Sequence, residues 1–245
     1  MIEVQGLAKK FGHVVAADGV SFAAADGEVT GLLGPNGAGK TTSMRMIYGL
    51  AHPDSGRVWI DGQDCTGSPV EVAKRLGVLP DSRGLYPRLT AGEHLRYFGE
   101  LHGLSGPSLD RRVVEVIGQL EMERIADRRV QGFSQGERVK VALARALMHD
   151  PRNILMDEPS NGLDVMSTRV LRSLILRLKQ DGKCVLFSSH VMQEVAAVCD
   201  RIVVIAGGTV VASGTTGDII RNTGKSTLED AFVELTGSGE ELVAI

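Results

Sequence analysis

Three observations predict an α/β fold built on a mostly parallel sheet. Ile154-Leu155-Met156, Val185-Leu186-Phe187 and Ile202-Val203-Val204-Ile205 are short, continuous apolar runs, the mark of strands covered on both faces. Helical stretches separate them, and strand–helix alternation is the pattern of parallel pairing. Aromatic residues make up only 4% of the 245, whereas Gly, Ala, Val and Leu abound, which suits helices on a parallel sheet better than an antiparallel sandwich.

Each element follows from its local pattern. The segment to about Ala25 alternates loosely between apolar and polar residues, as in half-exposed antiparallel strands. Glu28-Val29-Thr30-Gly31-Leu32-Leu33 is a short strand running into a Gly-rich loop. A helix is expected from Lys40 to about Tyr48, ended by Gly49. Val58-Trp59-Ile60, closed by an Asp61-Gly62 turn, reads as another strand. Between about Ala91 and Asp127 the period becomes helical. Leu95, Phe98, Leu101 and Leu104 form one stripe, and Val113, Val114, Ile117 and Leu120 form a second. Gly106 and Pro107 are expected to part them. The stripes should pack together as a helical lobe over about 89–149, inserted into a core of 1–88 and 150–224. Leu228, Ala231, Phe232 and Leu235 open a final stretch, a helix and tail over 225–245 expected to dock or guide a partner. There is no low-complexity segment and no internal repeat, so one unit spanning 1–236 is expected.

Bulk properties narrow the function classes. A net charge of −3 provides no basic field, so nucleic acid is not the expected partner. Arg111-Arg112 and Arg128-Arg129 are expected to be solvated helix-surface charges. Cys65, Cys184 and Cys199 share no ligand-like spacing, and Cys184 sits in an apolar run, so a reducing compartment is expected rather than a disulfide framework or metal cluster. The start, Met1-Ile2-Glu3-Val4-Gln5, has no charged-then-apolar pattern, and no stretch approaches about 18 uninterrupted apolar residues. The chain is therefore expected not to span a membrane and to be soluble by itself.

The chemistry begins at Gly34-Pro35-Asn36-Gly37-Ala38-Gly39-Lys40-Thr41-Thr42, a P-loop pattern lying where it must, between a strand and a helix. Glycines let successive N–H groups turn inward onto phosphate oxygens, and a helix N-terminus adds positive potential. Lys40 should reach the β- and γ-phosphates of ATP, and the Thr41 hydroxyl should ligate Mg²⁺. Gly224-Lys225-Ser226 mimics the motif's end, but no glycine stands at Ile219 and no strand leads in. Asn153-Ile154-Leu155-Met156-Asp157-Glu158 is an apolar run ending in two carboxylates. Adjacent strand residues point to opposite sides, so the acids should divide the work. Asp157 is expected to hold Mg²⁺ through water, and Glu158 to polarise the attacking water.

More than ninety residues after the cradle stands Phe133-Ser134-Gln135-Gly136-Glu137. It resembles the Leu-Ser-Gly-Gly-Gln signature of ABC-type ATPases. With every motif in family order across residues 1 to about 236, the chain is similar to an ABC transporter ATP-binding subunit. The resemblance implies an ATP-sandwich homodimer in which Ser134, Gln135, Gly136 and Glu137 close on nucleotide held by the other copy. It implies that Phe11 stacks on adenine, a contact typically worth about 1–3 kcal/mol. It also implies that Asp164, in Asn161-Gly162-Leu163-Asp164, lies in the loop crossing the dimer interface, where it is also a good helix cap. His190, after Leu186-Phe187-Ser188-Ser189, matches the switch histidine that senses γ-phosphate. With Lys40 and Glu158 it completes the expected catalytic set.

The sharpest departure is Asp81, where the family usually has Gln. A like charge about 4 Å from a γ-phosphate would cost about 4 kcal/mol at an effective dielectric of about 20. Asp81 is therefore expected to face Mg²⁺, alongside Thr41 and Asp157. Leu85 and Tyr86, in the loop that follows, are expected to contact polytopic permease subunits at the cytoplasmic face of the cell membrane. Residues from Asp81 to Gly103 look especially like ABC-2-type exporters, including those for sodium extrusion, so export of sodium or a drug leads over import. Two other classes remain. A soluble ABC ATPase acting on ribosomes or DNA usually carries a second cassette, a long coiled coil or a basic arm, all absent from this sequence. A small-molecule kinase would leave Ser134–Glu137, Asp164 and His190 unexplained.

Overall fold

The computed structural model describes residues 1–237 of the 245, so the tail expected beyond Gly237 lies outside the described residues. In chain order the elements begin with β1 (Ile2–Phe11), β2 (Val14–Ala24), β3 (Val29–Leu33), α1 (Lys40–Ile47), β4 (Ser55–Ile60), β5 (Gln63–Asp64), α2 (Pro69–Arg75) and β6 (Leu76–Leu79). Three helices follow: α3 (Ala91–Leu101), α4 (Gly106–Gln119) and α5 (Gln135–Leu147). The chain then returns through β7 (Asn153–Met156), α6 (Val165–Gln180), β8 (Cys184–Ser189), α7 (Met192–Val198), β9 (Arg201–Ala206) and β10 (Thr209–Gly214), ending with α8 (Thr216–Thr223) and α9 (Leu228–Thr236).

Two sheets result. The larger has the order β10-β9-β3-β8-β7-β6, parallel throughout except for β10, which pairs antiparallel to β9 at the edge. The smaller, β2-β1-β4-β5, is antiparallel. This is the expected α/β class with a separate antiparallel sheet.

The continuous apolar runs have a physical cause. On β7, β8 and β9, residues at alternate positions face different cores: Ile154, Val185, Phe187, Ile202 and Val204 join the helices α3 to α7 and α9, while Leu155, Leu186, Val203 and Ile205 join α1 and the antiparallel sheet. A strand buried on both faces has no polar side to alternate with. Gly31 on β3 is fitted to α7, since an added Cβ would stand 2.6 Å from Cys199 Sγ. Burial pushes the thiols of Cys184 and Cys199 up, Cys184 to about 12. None of the three cysteines is paired.

Several expectations need correction. Leu101 and Val114 are exposed, whereas Ala91, His94, Leu95 and Gly99 are the buried positions on α3, and Leu109, Val113 and Val116 those on α4. Three-residue steps drift around a helix of 3.6 residues per turn, which turns Leu101 out of the face at the end of α3. Val114 follows Val113 directly and so points about 100° away. Leu104, beyond the helix, still packs against the core. Gly106 and Pro107 form the first turn of α4 rather than a gap, with Pro at a position where its missing N–H costs nothing. Arg112 is no solvated charge: it donates to the carbonyls of Leu147 (2.5 Å) and Met148 (3.1 Å), satisfying the C-terminus of α5. Arg128 lies outside any helix, paired with Glu137 and set over the Phe133 ring.

Candidate active site

The cradle is made by backbone more than by side chains. Gly37 and Gly39 take φ of 80° and 101°, a region costly for other residues, and a Cβ on Gly39 would stand 2.2 Å from Ala16 O. The β9–β10 turn braces the loop from behind, with Gly208 N–H donating to Ala38 O (3.0 Å) and Asp18 N–H to Gly208 O (2.8 Å). Gly39 is the N-cap of α1 and supplies no side-chain cap, so the first N–H groups of that helix keep their donor capacity.

A cleft of about 480 Å³ is lined by Asn36, Gly37, Ala38, Gly39, Lys40, Thr41, Thr42, Asp81, Glu158, Asn161 and His190, with Val14, Val15 and Ala16 of β2 as one wall. Gly34 and Pro35 lie behind it and hold the lysine: Lys40 Nζ donates to Gly34 O (2.7 Å) and Pro35 O (3.1 Å) and stands 3.5 Å from Glu158 Oε1. Phe11 is not part of the lining. It closes β1 on the neighbouring hairpin, 53% exposed, with Lys9 Nζ 5.6 Å from its ring centre.

The two acids are separated differently from the expectation. β7 ends at Met156, so strand alternation does not reach them. Glu158 instead takes a left-handed φ of 47°, and its N–H donates to Ser188 Oγ (2.9 Å). Ser188 Oγ in turn donates to Asp157 Oδ1 (2.7 Å). One buried hydroxyl thereby holds the Asp157 carboxylate and the Glu158 backbone, and the unusual backbone turns the Glu158 side chain toward His190, whose Nδ1 lies 2.8 Å from Glu158 Oε2. Glu194 holds the surrounding loops, accepting from Ser160 Oγ (2.5 Å) and Ser189 Oγ (3.0 Å).

Asp157 is 1% exposed, and its Oδ2 is buried without a partner. Burial pushes its carboxyl above the ordinary range, and the neighbouring carboxylates of Asp81 and Glu158 add to this, against the lowering bond from Ser188. Thr41 Oγ1 is only 3.4 Å from Asp157 Oδ1. An orphaned anionic oxygen beside a hydroxyl and further carboxylates is a donor set that fits a small divalent cation. Among the described residues no three His, Cys, Asp or Glu side chains can hold a metal by themselves. Mg²⁺ takes one or two carboxylates and completes its shell with water and phosphate, and Asp157, Thr41 and Asp81 are the side chains placed to hold such a cation.

The second motif lies elsewhere. Ser134 is the N-cap of α5 in a capping box, its Oγ accepting from Glu137 N (3.2 Å) while Glu137 Oε2 accepts from Ser134 N (2.8 Å). The other oxygen of Glu137 takes Arg128 Nη1 (2.8 Å), so this carboxylate is engaged within its own chain. Gln135 Oε1 accepts from Arg83 Nη1 (2.7 Å). Gly136 packs tightly on α6, where a Cβ would meet Ser167 Oγ at 2.5 Å. Asp164 caps α6, accepting from Ser167 N (2.8 Å). Ser134, Gly136 and Glu137 line a cavity of about 420 Å³ with Leu163, Met166 and Val170 on its walls, distinct from the cradle cleft.

The model of one family, "ABC transporter", matches residues 17–161, more than half of the chain. The chain belongs to the ABC transporter ATP-binding family. It is 48% identical over 202 residues to the ABC transporter ATP-binding protein NatA of Bacillus subtilis, covering 82% of each chain. It is 36% identical over 220 residues to the Nod factor export ATP-binding protein I of Ralstonia nicotianae, covering 90% of this chain and 68% of that one. Its fold matches a dimeric ATP-binding cassette in a post-hydrolysis state with ADP and Pi, with a TM-score of 0.78 and 28% identity over 88% of this chain and 98% of that one. Cassettes of this family bind and hydrolyse ATP, form dimers and act with membrane subunits. No helix among the described residues is long and apolar enough to cross a membrane.

Residue-by-residue reading missed Ser188, Glu194 and Arg83. Ser188 stood in a quoted stretch without a task, and Arg83 lies in the loop expected to face the permease rather than the cleft. Only the pairing of β7 with β8, and of the Asp81 loop with α5, gives them one.

Proposed function

We propose that this chain is the ATP-hydrolysing subunit of an ABC-2-type exporter, working at the cytoplasmic face of the membrane as a homodimer that drives polytopic permease subunits. The observation that carries this reading is the separation of the two motifs. Ser134 and Gly136 line one cavity while Lys40, Glu158 and His190 line another, so neither copy completes its own cleft. A second copy supplies what is missing, with Asp164 in the loop that crosses between them. The helices α3–α5 act as a separate lobe that carries Ser134. Export is favoured over import because a relative covering most of the chain is named for export. Neither relative's name identifies this chain's cargo.

Each residue then has a task. Asn36–Thr42 receive the phosphates on N–H groups with Gly34 and Pro35 behind them, and Lys40 exchanges its two carbonyl acceptors for the β- and γ-phosphate oxygens. Phe11, on its exposed hairpin, stacks on adenine. Thr41, Asp157 and Asp81 hold Mg²⁺. When bound, the cation polarises the phosphoryl oxygens and offsets their charge. Glu158 takes a proton from the attacking water as it forms the bond to the γ-phosphorus, with His190 holding the carboxylate in line and ADP leaving. Leu85 packs against the core while Tyr86 is half exposed, so Tyr86 presents the surface for a permease helix.

Glu158→Gln tests this directly. Turnover should fall by about 10²–10⁴-fold, the usual loss of a general base, while ATP with Mg²⁺ accumulates a dimer measurable by light scattering. A Glu158→Gln chain that stays monomeric at saturating ATP sinks the sandwich.

A further inference from the structure

Arg83 is a cation beside the cleft that the proposed steps leave without a task. It stands two residues beyond Asp81, on the loop between β6 and α3. Its guanidinium is used as a fork: Nη1 donates to Gln135 Oε1 (2.7 Å) and Nη2 to the carbonyl of Asn161 (3.0 Å). Among the described residues Arg83 makes no ion pair, so these neutral acceptors are what orient it. Partial burial pulls its pKa down, with Asp81 acting the other way.

The two acceptors belong to different parts of the site. Gln135 is the first residue of α5, next to Ser134. Asn161 closes the turn that Glu158 begins, its N–H donating to Glu158 O (3.1 Å). One side chain therefore spans the Asp81 loop, the Glu158–Asn161 turn and the N-terminus of α5. A planar guanidinium can serve two divergent acceptors from a fixed geometry, which the single ammonium of lysine does not reproduce.

We propose that Arg83 is a positioning residue that sets where Ser134–Gly136 stands relative to the Glu158–Asn161 turn, and thereby how readily two copies close on ATP. The proposal rests on the sandwich reading above. Its own content is that the brace lies within one chain and acts through Gln135 and Asn161.

The test uses the Glu158→Gln background and measures ATP-dependent dimerisation by light scattering, alongside single-chain binding of a fluorescent ATP analogue. Arg83→Met should raise the ATP concentration for half-maximal dimerisation at least about tenfold, the scale of a hydrogen bond to a charged group. Single-chain binding should stay within about threefold, well under one such bond. Arg83→Lys should not rescue dimerisation, because the fork and not the charge is required. Arg83→Met with Gln135→Ala together should be no worse than the poorer single variant. Dimerisation of Arg83→Met at the parent's ATP concentration overturns the proposal, as does full rescue by lysine or simple addition of the two effects. Equal loss of single-chain binding in both Arg83 variants also overturns it, since the side chain would then merely hold the fold. A Glu158→Gln parent that never dimerises overturns the sandwich instead.

Discussion

The cradle at Gly34–Thr42 and the face at Ser134–Gly136 are both helix N-termini, yet they are finished in opposite ways. α1 begins at a glycine with no side-chain cap, leaving its N–H groups for a ligand. α5 begins with a closed capping box, so Ser134 and Glu137 already satisfy part of their own helix end. The walls differ too. Charged and polar groups surround the cradle, whereas Met166, 66% exposed, and Val170 stand beside Ser134 and Gly136. The cradle is organised to take phosphate from water by backbone dipoles together with the Lys40 ammonium. The other face offers a hydroxyl beside apolar side chains, with Glu137 already paired to Arg128, a surface suited to closing against a protein that already carries the phosphate.

The largest expected effect separates the two surfaces. Lys40→Ala removes the one lysine among the described residues lining the cleft and should cut both nucleotide affinity and turnover by at least about 100-fold, the loss of two charge-assisted bonds. Gly136→Val forces a side chain against Ser167 and should cut turnover on a similar scale while leaving single-chain ATP binding within about threefold. Equilibrium binding of an ATP analogue and steady-state hydrolysis read the two apart. If Gly136→Val weakens single-chain binding as much as Lys40→Ala does, the surfaces are not independent.

A smaller effect is expected inside the cradle half alone. Ser188→Ala strands the Glu158 N–H and leaves Asp157 Oδ1 only the long contact from Thr41 Oγ1 (3.4 Å). An unsatisfied buried group costs about 1–3 kcal/mol, and each kcal/mol lowers Tm by about 2–4 °C at this chain length. Turnover should fall about tenfold or more because the Glu158 backbone, and with it the aim of its side chain, loses an anchor, with nucleotide affinity less affected.

What sequence reading could and could not reach follows the same division. The strands β7, β8 and β9 were legible because burial on both faces leaves unbroken apolar runs. The cradle was legible because its parts are contiguous. β6 was not recognised, being four residues wedged between α2 and Pro80, and neither was β10, an edge strand with half-exposed Val210 and Ala212. The apolar stripes misplaced Leu101 and Val114 because side-chain type does not reveal rotation about a helix axis. Both acids were found, but their separation was credited to strand pleating when a left-handed Glu158 and the hydroxyl of Ser188 produce it. Such long-range ties, Arg83 to Gln135 among them, depend on which segments the sheet brings together, and local pattern contains no trace of that.

Asp157→Asn tests the electrostatic cost on the cradle side. The folded-state pKa of Asp157 is raised, so between its unfolded value of 3.8 and that raised value the native chain binds more protons than the unfolded one. Its contribution to stability therefore falls as pH rises through that window, and the ionised, partly orphaned carboxylate is a liability at neutral pH. Asn removes the charge and keeps a carbonyl acceptor for Ser188. The variant should melt higher by about 2–4 °C per kcal/mol relieved while losing its response to Mg²⁺. A lower Tm would mean that the charge is already compensated within the chain.

The smallest effect concerns the anchoring of the helical side. His102, at the end of α3, stacks on His149, just past α5, with ring centres 3.9 Å apart and planes within 8°. Burial, then the neighbouring His102, lowers the His149 pKa from 6.5 to about 4. Between those values the unfolded chain binds a proton that the folded chain refuses, so stability falls as pH drops from 6.5 toward 4. His149→Gln keeps hydrogen-bonding capacity but does not titrate, and should flatten that part of the Tm-against-pH curve while leaving the neutral-pH Tm within a few degrees. Because the pair sits where α3 meets the link from α5 to β7, the loss should appear first as increased amide exchange in α3, before the sheet strands. Simultaneous exchange throughout would show instead that helices and sheet unfold as one unit, and that the two halves differ in chemistry without differing in stability.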